Sequence, residues 1–254
     1  MILQKDGFAF CIVGISPVRA EAKDESEMIT QLLFGEPVKV LEINKNWAQI
    51  TSSIDGYTGY MDPKQLHALS TDEFNVWMEE YTYLANTYTT IITNSGNQII
   101  SKGSHVGKMN KFQIGTHHFE LHKRDDVQKD IDPWGISNDY LNTPYLWGGK
   151  SIFGIDCSGF TQIVYRIMGI ELPRDASQQQ VMGKSINFDN KRNGDLAFFQ
   201  NENNKITHVG IIGDDSKIIH ASGQVRIDVL KKTGIWNLDR SLTTHSFHSI
   251  KRVK

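Results

Sequence analysis

Two cysteines and nine histidines are the side chains of this 254-residue chain best suited to nucleophilic chemistry, and their surroundings separate them. Cys157 precedes a run in which Phe160, Ile163, Val164, Ile167 and Met168 recur at i, i+3, i+4, i+7 and i+8, the spacing of one buried helical face. Gly169 and Pro173 stop that helix. Cys157 therefore falls in the first turn, entered through Gly154-Ile155-Asp156, where unpaired backbone N–H groups and the positive end of the helix dipole favour a thiolate. Cys11 lies in an apolar run with no polar neighbour and reads as core. A nucleophilic thiol needs a general base. His208 and His220 each interrupt an otherwise apolar strand, in ITHVGIIG and KIIHAS, where an imidazole is costly without a partner. A hairpin folding symmetrically about Asp214 sets 208 opposite 220, on one face. The three then have the logic of a thiol peptidase. Cys157 attacks an acyl carbon, His208 takes and returns the proton, and His220 orients His208. N–H groups at the helix start, that of Cys157 included, hold the oxyanion. A lone buried cysteine is more often an inert small hydrophobe; the helix position and the two-histidine register are what favour chemistry here.

The elements that must position these residues divide the chain in three. Residues 1–70 hold short β-like runs separated by turn residues: FAFCIVGI, ending at a Ser16-Pro17 break, QLLFGEPVKVLEI around a Gly35-Glu36-Pro37 turn, WAQITS, and Tyr57 to Met61 after Asp55-Gly56. That spacing predicts a small barrel with no helical period before the second half of the chain. Residues 71–130 begin with TDEFNVWMEE, which lacks clear caps, and continue with β-like stretches to 121, a second β module or a spacer. The charged stretch HKRDDVQKDID reads as a linker, and 131–254 as the α+β domain that carries the cysteine, its helix packed on an antiparallel meander. Hydrophobic residues at 39% and charged ones at 22% allow a full core, and a net charge of −2 argues against nucleic acid as partner. Two cysteines exclude a disulfide framework.

The stretches PYLWGG, DCSGF, ELPRDASQQ, NGDLAFF, ITHVGIIG and IIHASG, in this order over roughly 140–225, closely resemble the NlpC family of bacterial cell-wall cysteine peptidases, circularly rearranged relatives of papain. The resemblance implies a papain-like fold with Cys157 as nucleophile, His208 as base and His220 as third member. It also implies that Tyr145 of the YxWGG motif lies beside the oxyanion and substrate, and that Asp156 and Ser158 line the pocket. Asp175 and Ser177 fall in the family's substrate loop, with Ala176 between them where relatives often carry a polar residue. PVRAEAKDESEMITQLLFGEPVKVLE, followed by Trp47 and DGYTGYMDPKQL, resembles the bacterial SH3-like barrel of murein-peptide endopeptidases of the recycling type. In those enzymes the barrel caps one end of the cleft, and a tyrosine and an acid bind the free amine of L-alanine. The matches are Tyr57 and Glu27, with Glu21 or Glu25 as alternatives for the acid. The implied reaction is hydrolysis of the bond between the γ-carboxyl of D-glutamate and the diamino acid in free stem peptides. An amidase, endopeptidase or transferase acting on intact wall is the alternative within enzymes, and an inert wall-peptide-binding protein the alternative outside them.

The remaining candidates are weaker. His117, His118 and His122 lack the glutamate of a zinc helix motif, and GGKS at 148–151 lacks the upstream glycine of a phosphate loop, so no metal or cofactor is expected. Trp47, Trp77, Trp134 and Trp236 read as packing anchors. No apolar run spans a membrane, and FAFCIVGI is short and follows Asp6, which disfavours a signal peptide. The expectation is a cytoplasmic monomer, or an exported protein if a precursor carried a signal.

Overall fold

The computed structural model describes residues 2–125 and 132–253, which form two compact units. The first holds the residues up to 125 together with Lys150–Ile152; the second holds 132–149 and the chain from Phe153 onward. The stretch read as a linker and the expected domain start at 131 lie largely outside the described residues.

In the first unit, β1 (Phe8–Cys11), β2 (Ile15–Arg19), β3 (Met28–Leu33), β4 (Pro37–Ile43), β5 (Ala48–Ser52), β6 (Thr58–Met61) and β7 (Leu66–Leu69) form one antiparallel sheet in the order β3-β2-β6-β5-β4-β1-β7. Every strand gives a side chain to a single core: Ala9 and Cys11, Val18, Leu32, Val38 and Val40, Ala48 and Ile50, Met61, and Leu66. A sheet that wide can share one core only by rolling round it. The run read as one strand over 8–15 is two, because Phe34 N donates to Gly14 O and Ile12 N to Gln65 O, so other segments satisfy the corner between them. Pro17 sits inside β2, opposite Gln31, not in a turn.

Residues 71–80 are helical, contrary to the expectation of no helix in this half. Ser70 caps α1 (Thr71–Glu80): its hydroxyl accepts from Glu73 N, and the Glu73 carboxylate accepts from Ser70 N, a reciprocal capping box. Trp77 donates its indole N–H to Gly35 O at 2.8 Å. β8 (Tyr81–Tyr83), β9 (Tyr88–Thr93), β10 (Gly96–Ser101), β11 (His105–Gly107), β12 (Lys111–Ile114) and β13 (His117–Leu121) follow, as a four-stranded sheet β10-β9-β13-β12 and a ladder of β11 with β8. Their core also contains Phe10 and Leu69 of the first sheet and Phe34 of the turn after β3, so the two β segments share interior and form one unit. Short strand β14 (Lys150–Ser151) belongs here too, with the Lys150 ammonium 3.0 Å from the Glu36 carboxylate and both side chains buried.

The second unit contains α2 (Pro133–Ser137), β15 (Gly154–Ile155), α3 (Cys157–Ile167) and α4 (Ala176–Gln179). Its strands are β16 (Lys184–Ile186), β17 (Leu196–Gln200), β18 (Ile206–Ile212), β19 (Lys217–Ser222), β20 (Gln224–Lys231), β21 (Gly234–Asn237) and β22 (Leu242–Arg252). The strands β17 to β22 pair consecutively and β22 returns to β17, closing a six-stranded antiparallel barrel to which β16 is appended. Ala197, Phe199, Ile212, Ile218, Leu230, Ile235 and Ile250 fill it. The expected antiparallel meander of DLAFFQ, ITHVGIIG and KIIHAS is thus continued by three further strands, β20 to β22, into a closed barrel. Helix α3 packs on β18 and β19 and is buried on all sides, not on one face. Its polar residues are used internally: Gln162 donates to Leu172 O, and Arg166 lies 3.6 Å from Glu171.

Candidate active site

Cys157 is the first residue of α3, as its spacing predicts, and Asp156 is the N-cap. The Asp156 Oδ1 accepts from Gly159 N at 2.7 Å, closing the first turn, while Oδ2 accepts from Gly148 N at 2.8 Å. The Arg174 guanidinium grips the same carboxylate with both amino groups, at 3.0 and 2.5 Å, and donates to Ser158 Oγ at 2.9 Å. Asp156 and Arg174 are both buried. Asp156 therefore has its lone pairs engaged and braces the PYLWGG loop against the helix; it does not present a free carboxylate. This close approach requires Gly159, where a Cβ would lie 2.3 Å from Gly149 O.

The thiol faces β18. Its Sγ lies 4.0 Å from Thr207 O, and the backbone N–H groups of Val209 and Ser158 are the hydrogen bonds that favour its thiolate. His208 is thus flanked on both sides by residues that touch the sulfur. Burial, with Asp156 adding to it, pushes the Cys157 thiol up to about 12. Burial likewise drives His208 well below 6.5, aided by His220 and His245. Each group by itself therefore favours its neutral form.

His208 Nε2 is 2.9 Å from His220 Nδ1. The pairing differs in detail from the sequence expectation. Ile211 faces Ile219 and Ile212 faces Ile218, centring the hairpin on 215, with Asp215 and Ser216 both at positive φ. Asp214 is therefore not the centre, and His208 and His220 are diagonal neighbours, not direct ones. A slip of two residues preserves the face, so the contact survives. Gly210 makes room: a Cβ there would lie 3.0 Å from the Cβ of His220.

Two further residues join this cluster. His220 Nε2 is 3.1 Å from the fully buried Asp228 Oδ2. Burial acts to raise the Asp228 pKa, but hydrogen bonds from His220, Arg226 and Leu238 N hold it well below the usual carboxylate range. The ring of His245 stacks on His208, and burial brings His245 down to about 4. Asp228 was open to the rule that singled out the two histidines, since it interrupts the apolar strand VRIDVLK. His245, in the polar stretch TTHSFHS, gives no such signal.

The other expected site residues fall as follows. Tyr145 is half-buried, and its phenol is raised to about 12 by burial, Cys157 and Asp156, so it stands near the thiol as a hydrogen-bond donor. Ser158 is buried against Arg174. Asp175 caps α4, its N–H bonded to Gln178 Oε1, and Ser177 is exposed on that helix. In the first unit, Met28 and Tyr60 both pair with Arg19, so exposed Glu27 and partly buried Tyr57 stand at one end of the sheet, on either side of β2. Cys11 is core, its burial raising its pKa. His117 bonds His67 at 3.0 Å, and among the described residues no group of three or more His, Cys, Asp and Glu side chains is placed to hold a metal ion. No helix among them is long and apolar enough to cross a membrane.

Residues 142–241 match the NlpC/P60 family, and residues 18–66 match the bacterial dipeptidyl-peptidase SH3 domain. The γ-D-glutamyl-L-lysine dipeptidyl-peptidase of Bacillus subtilis is 30% identical over 218 residues, covering 76% of this chain and 71% of that protein. The protein of the same name from Bacillus cereus is 28% identical, covering 77% and 68%. A crystal structure of an NlpC/P60 family protein from Bacillus cereus superposes with a TM-score of 0.78 at 21% identity, over 97% of this chain and 99% of that one, and shows the fold. A fold, a site-bearing segment and a relative matched over most of both lengths agree, and the chain belongs to the NlpC/P60 family of cysteine peptidases.

Proposed function

We propose that the protein is a cysteine endopeptidase that cleaves the γ-D-glutamyl–diamino acid bond of free peptidoglycan stem peptides bearing an N-terminal L-alanine. The observation that carries the reading is similarity to a γ-D-glutamyl-L-lysine dipeptidyl-peptidase over 76% of this chain, in a protein that carries both an SH3-matching and an NlpC/P60-matching segment. The chemistry follows from the cluster around Cys157. The thiol proton passes to His208 as sulfur attacks the γ-carbonyl carbon of D-glutamate. The resulting oxyanion is held by N–H groups at the start of α3, with the Tyr145 phenol as a further donor. His208 returns the proton to the departing amine of the diamino acid, and a water, deprotonated by the same imidazole, hydrolyses the thioester and restores the thiol. Ser158, Asp175 and Ser177 line the substrate, and Asp156 acts by bracing that wall. Glu27 and Tyr57 recognise the free α-amine, a carboxylate and a phenol being suited to an ammonium group.

The test is hydrolysis of L-Ala-γ-D-Glu-L-Lys and of its meso-diaminopimelate counterpart, with the N-acetylated peptides as controls. Release of L-Ala-γ-D-Glu, lost in Cys157→Ala and His208→Ala and reduced at least tenfold by acetylation, is expected. Equal rates on acetylated peptide would remove the amine-recognition reading and favour an enzyme of intact wall. An active Cys157→Ala would remove the mechanism.

A further inference from the structure

His208, His220 and Asp228 lie on a straight diagonal across three adjacent strands. His220 is opposite Arg226 on β20, and Asp228 is two residues beyond. The β18–β19 register, continued from Ile211 and Ile219, places His208 two residues beyond His220 on the other side, in the opposite sense along the strands. The contacts follow that line: Asp228 Oδ2 to His220 Nε2, then His220 Nδ1 to His208 Nε2. We propose that Asp228 is a positioning residue that dictates the hydrogen-bond direction along this line and thereby leaves His208 with a basic nitrogen for the thiol. The proposal deepens the peptidase reading and rests on it.

An ionised carboxylate only accepts, so the proton of neutral His220 must sit on Nε2. Its Nδ1 is then a lone pair, and the partner nitrogen, His208 Nε2, must carry a proton. The remaining nitrogen of neutral His208, Nδ1, is the one left to receive a proton from Cys157. When it does, both His208 nitrogens carry protons and the imidazolium donates to His220 without any proton moving further down the line. Asp228 is itself fixed. Arg226 donates through Nε to Oδ2 at 2.7 Å and through an amino group to Oδ1 at 2.9 Å, and Leu238 N donates to Oδ1 at 3.0 Å. Asn237 Nδ2 adds a longer contact at 3.4 Å. The groups facing the line from neighbouring strands are His245 on β22, Arg226 on β20 and the ring of Phe199 on β17, and the Cys157 sulfur touches the backbone of Thr207 beside His208.

An isosteric exchange, Asp228→Asn, reverses the logic. The backbone N–H of Leu238 cannot rotate away, whereas the partly exposed Arg226 side chain, which also pairs with Asp239, can release its Nε contact; the amide oxygen therefore keeps the Leu238 bond and the NH2 turns toward His220. His220 must then accept on Nε2 and carry its proton on Nδ1, which forces His208 Nε2 to accept and places the His208 proton on the nitrogen meant for the base. The variant, assayed on L-Ala-γ-D-Glu-L-Lys, should lose kcat by at least about 100-fold, a comparable tautomer reversal costing about 10,000-fold, with KM within threefold. In the wild-type protein, 15N chemical shifts of the imidazoles should show His208 and His220 both protonated on Nε2, and in the variant on Nδ1. A kcat within threefold of wild type, or Nδ1 protonation of either histidine in the wild-type protein, overturns the proposal; the second readout needs no variant to fold. If Cys157→Ala is inactive while Asp228→Asn is fully active, this inference fails and the peptidase reading stands. If Cys157→Ala is active, the peptidase reading itself fails.

Discussion

The imidazole of His245 lies face to face with that of His208, ring centroids 4.1 Å apart and planes inclined by 26°. His245 is tied in turn by a 2.8 Å bond between its Nδ1 and Thr244 Oγ1. The stack fixes the plane of the His208 ring, whose Nε2 meets His220 and whose other nitrogen receives the thiol proton in the proposed mechanism. An aromatic pair of this kind contributes about 0.5–1.5 kcal/mol beyond area burial, which corresponds to roughly 2- to 10-fold in rate if the contribution is needed in the transition state. His245→Ala should lower kcat by that factor with KM unchanged, and His245→Phe should restore most of it. Equal activity of all three proteins in steady-state assays would show that the stack does not hold the base.

Acid sensitivity follows from the same cluster. Burial is the largest cause in lowering His208, His220 and His245, the last to about 4. A histidine whose folded pKa lies below its unfolded value binds its proton more readily in the unfolded chain, so stability is full above about 6.5 and falls as pH drops toward the folded value. For His245 alone the shift from 6.5 to about 4 is at most on the order of 3 kcal/mol. Asp228 acts in a separate window, because its lowered pKa gives stability that is lost only below about 4. Denaturant midpoints should fall steadily between pH 6.5 and 4, less steeply in His245→Phe. A flat profile to pH 5 would contradict the burial of these rings as neutral species.

What the sequence made legible was local and periodic. Cys157 at a helix start, the face shared by His208 and His220 and the strand-rich first segment all follow from spacing. What escaped it was of two kinds. Closure of the barrel depends on β22 meeting β17, a pairing of strands far apart in sequence that no local pattern reports. Helix α1 escaped although its signal was present, since Ser70 and Glu73 stand at capping-box spacing. The polar residues of α3 escaped because burial of Thr161, Gln162 and Arg166 depends on partners such as Gln179 and Leu172 supplied by later segments. Arg174 belongs with these, for nothing near it in sequence announces a buried partner at Asp156.

That pair predicts a large effect from a residue outside the thiol–histidine line. Arg174→Met removes both guanidinium bonds to Asp156 and the one to Ser158 Oγ, and leaves the buried Asp156 carboxylate to two backbone N–H donors and the Ser158 hydroxyl. Breaking a buried pair on one side costs about 3–5 kcal/mol. Asp156→Asn combined with Arg174→Met should recover part of that loss, because no charge is then stranded. Chemical denaturation of the four proteins of this cycle checks it; a loss under 1 kcal/mol in Arg174→Met would mean that the guanidinium is not what holds the carboxylate.

Gly210 offers the sharpest separation of geometry from binding. It lies on β18 between His208 and the turn, and a Cβ there would meet Ile218 Cγ1 and Cδ1 at 2.9 Å and His220 Cβ at 3.0 Å. The isoleucine tip can yield by changing rotamer; the His220 Cβ is held by its strand and by the bond to Asp228. Overpacking of this kind costs about 1–3 kcal/mol, and the strain falls on the ring that orients His208. Gly210→Ala should therefore reduce kcat by tenfold or more while KM for the free-amine peptide stays within threefold, since no substrate-lining side chain moves. A variant that loses affinity instead, with kcat intact, would place the effect of Gly210 on the substrate wall and not on the histidine line.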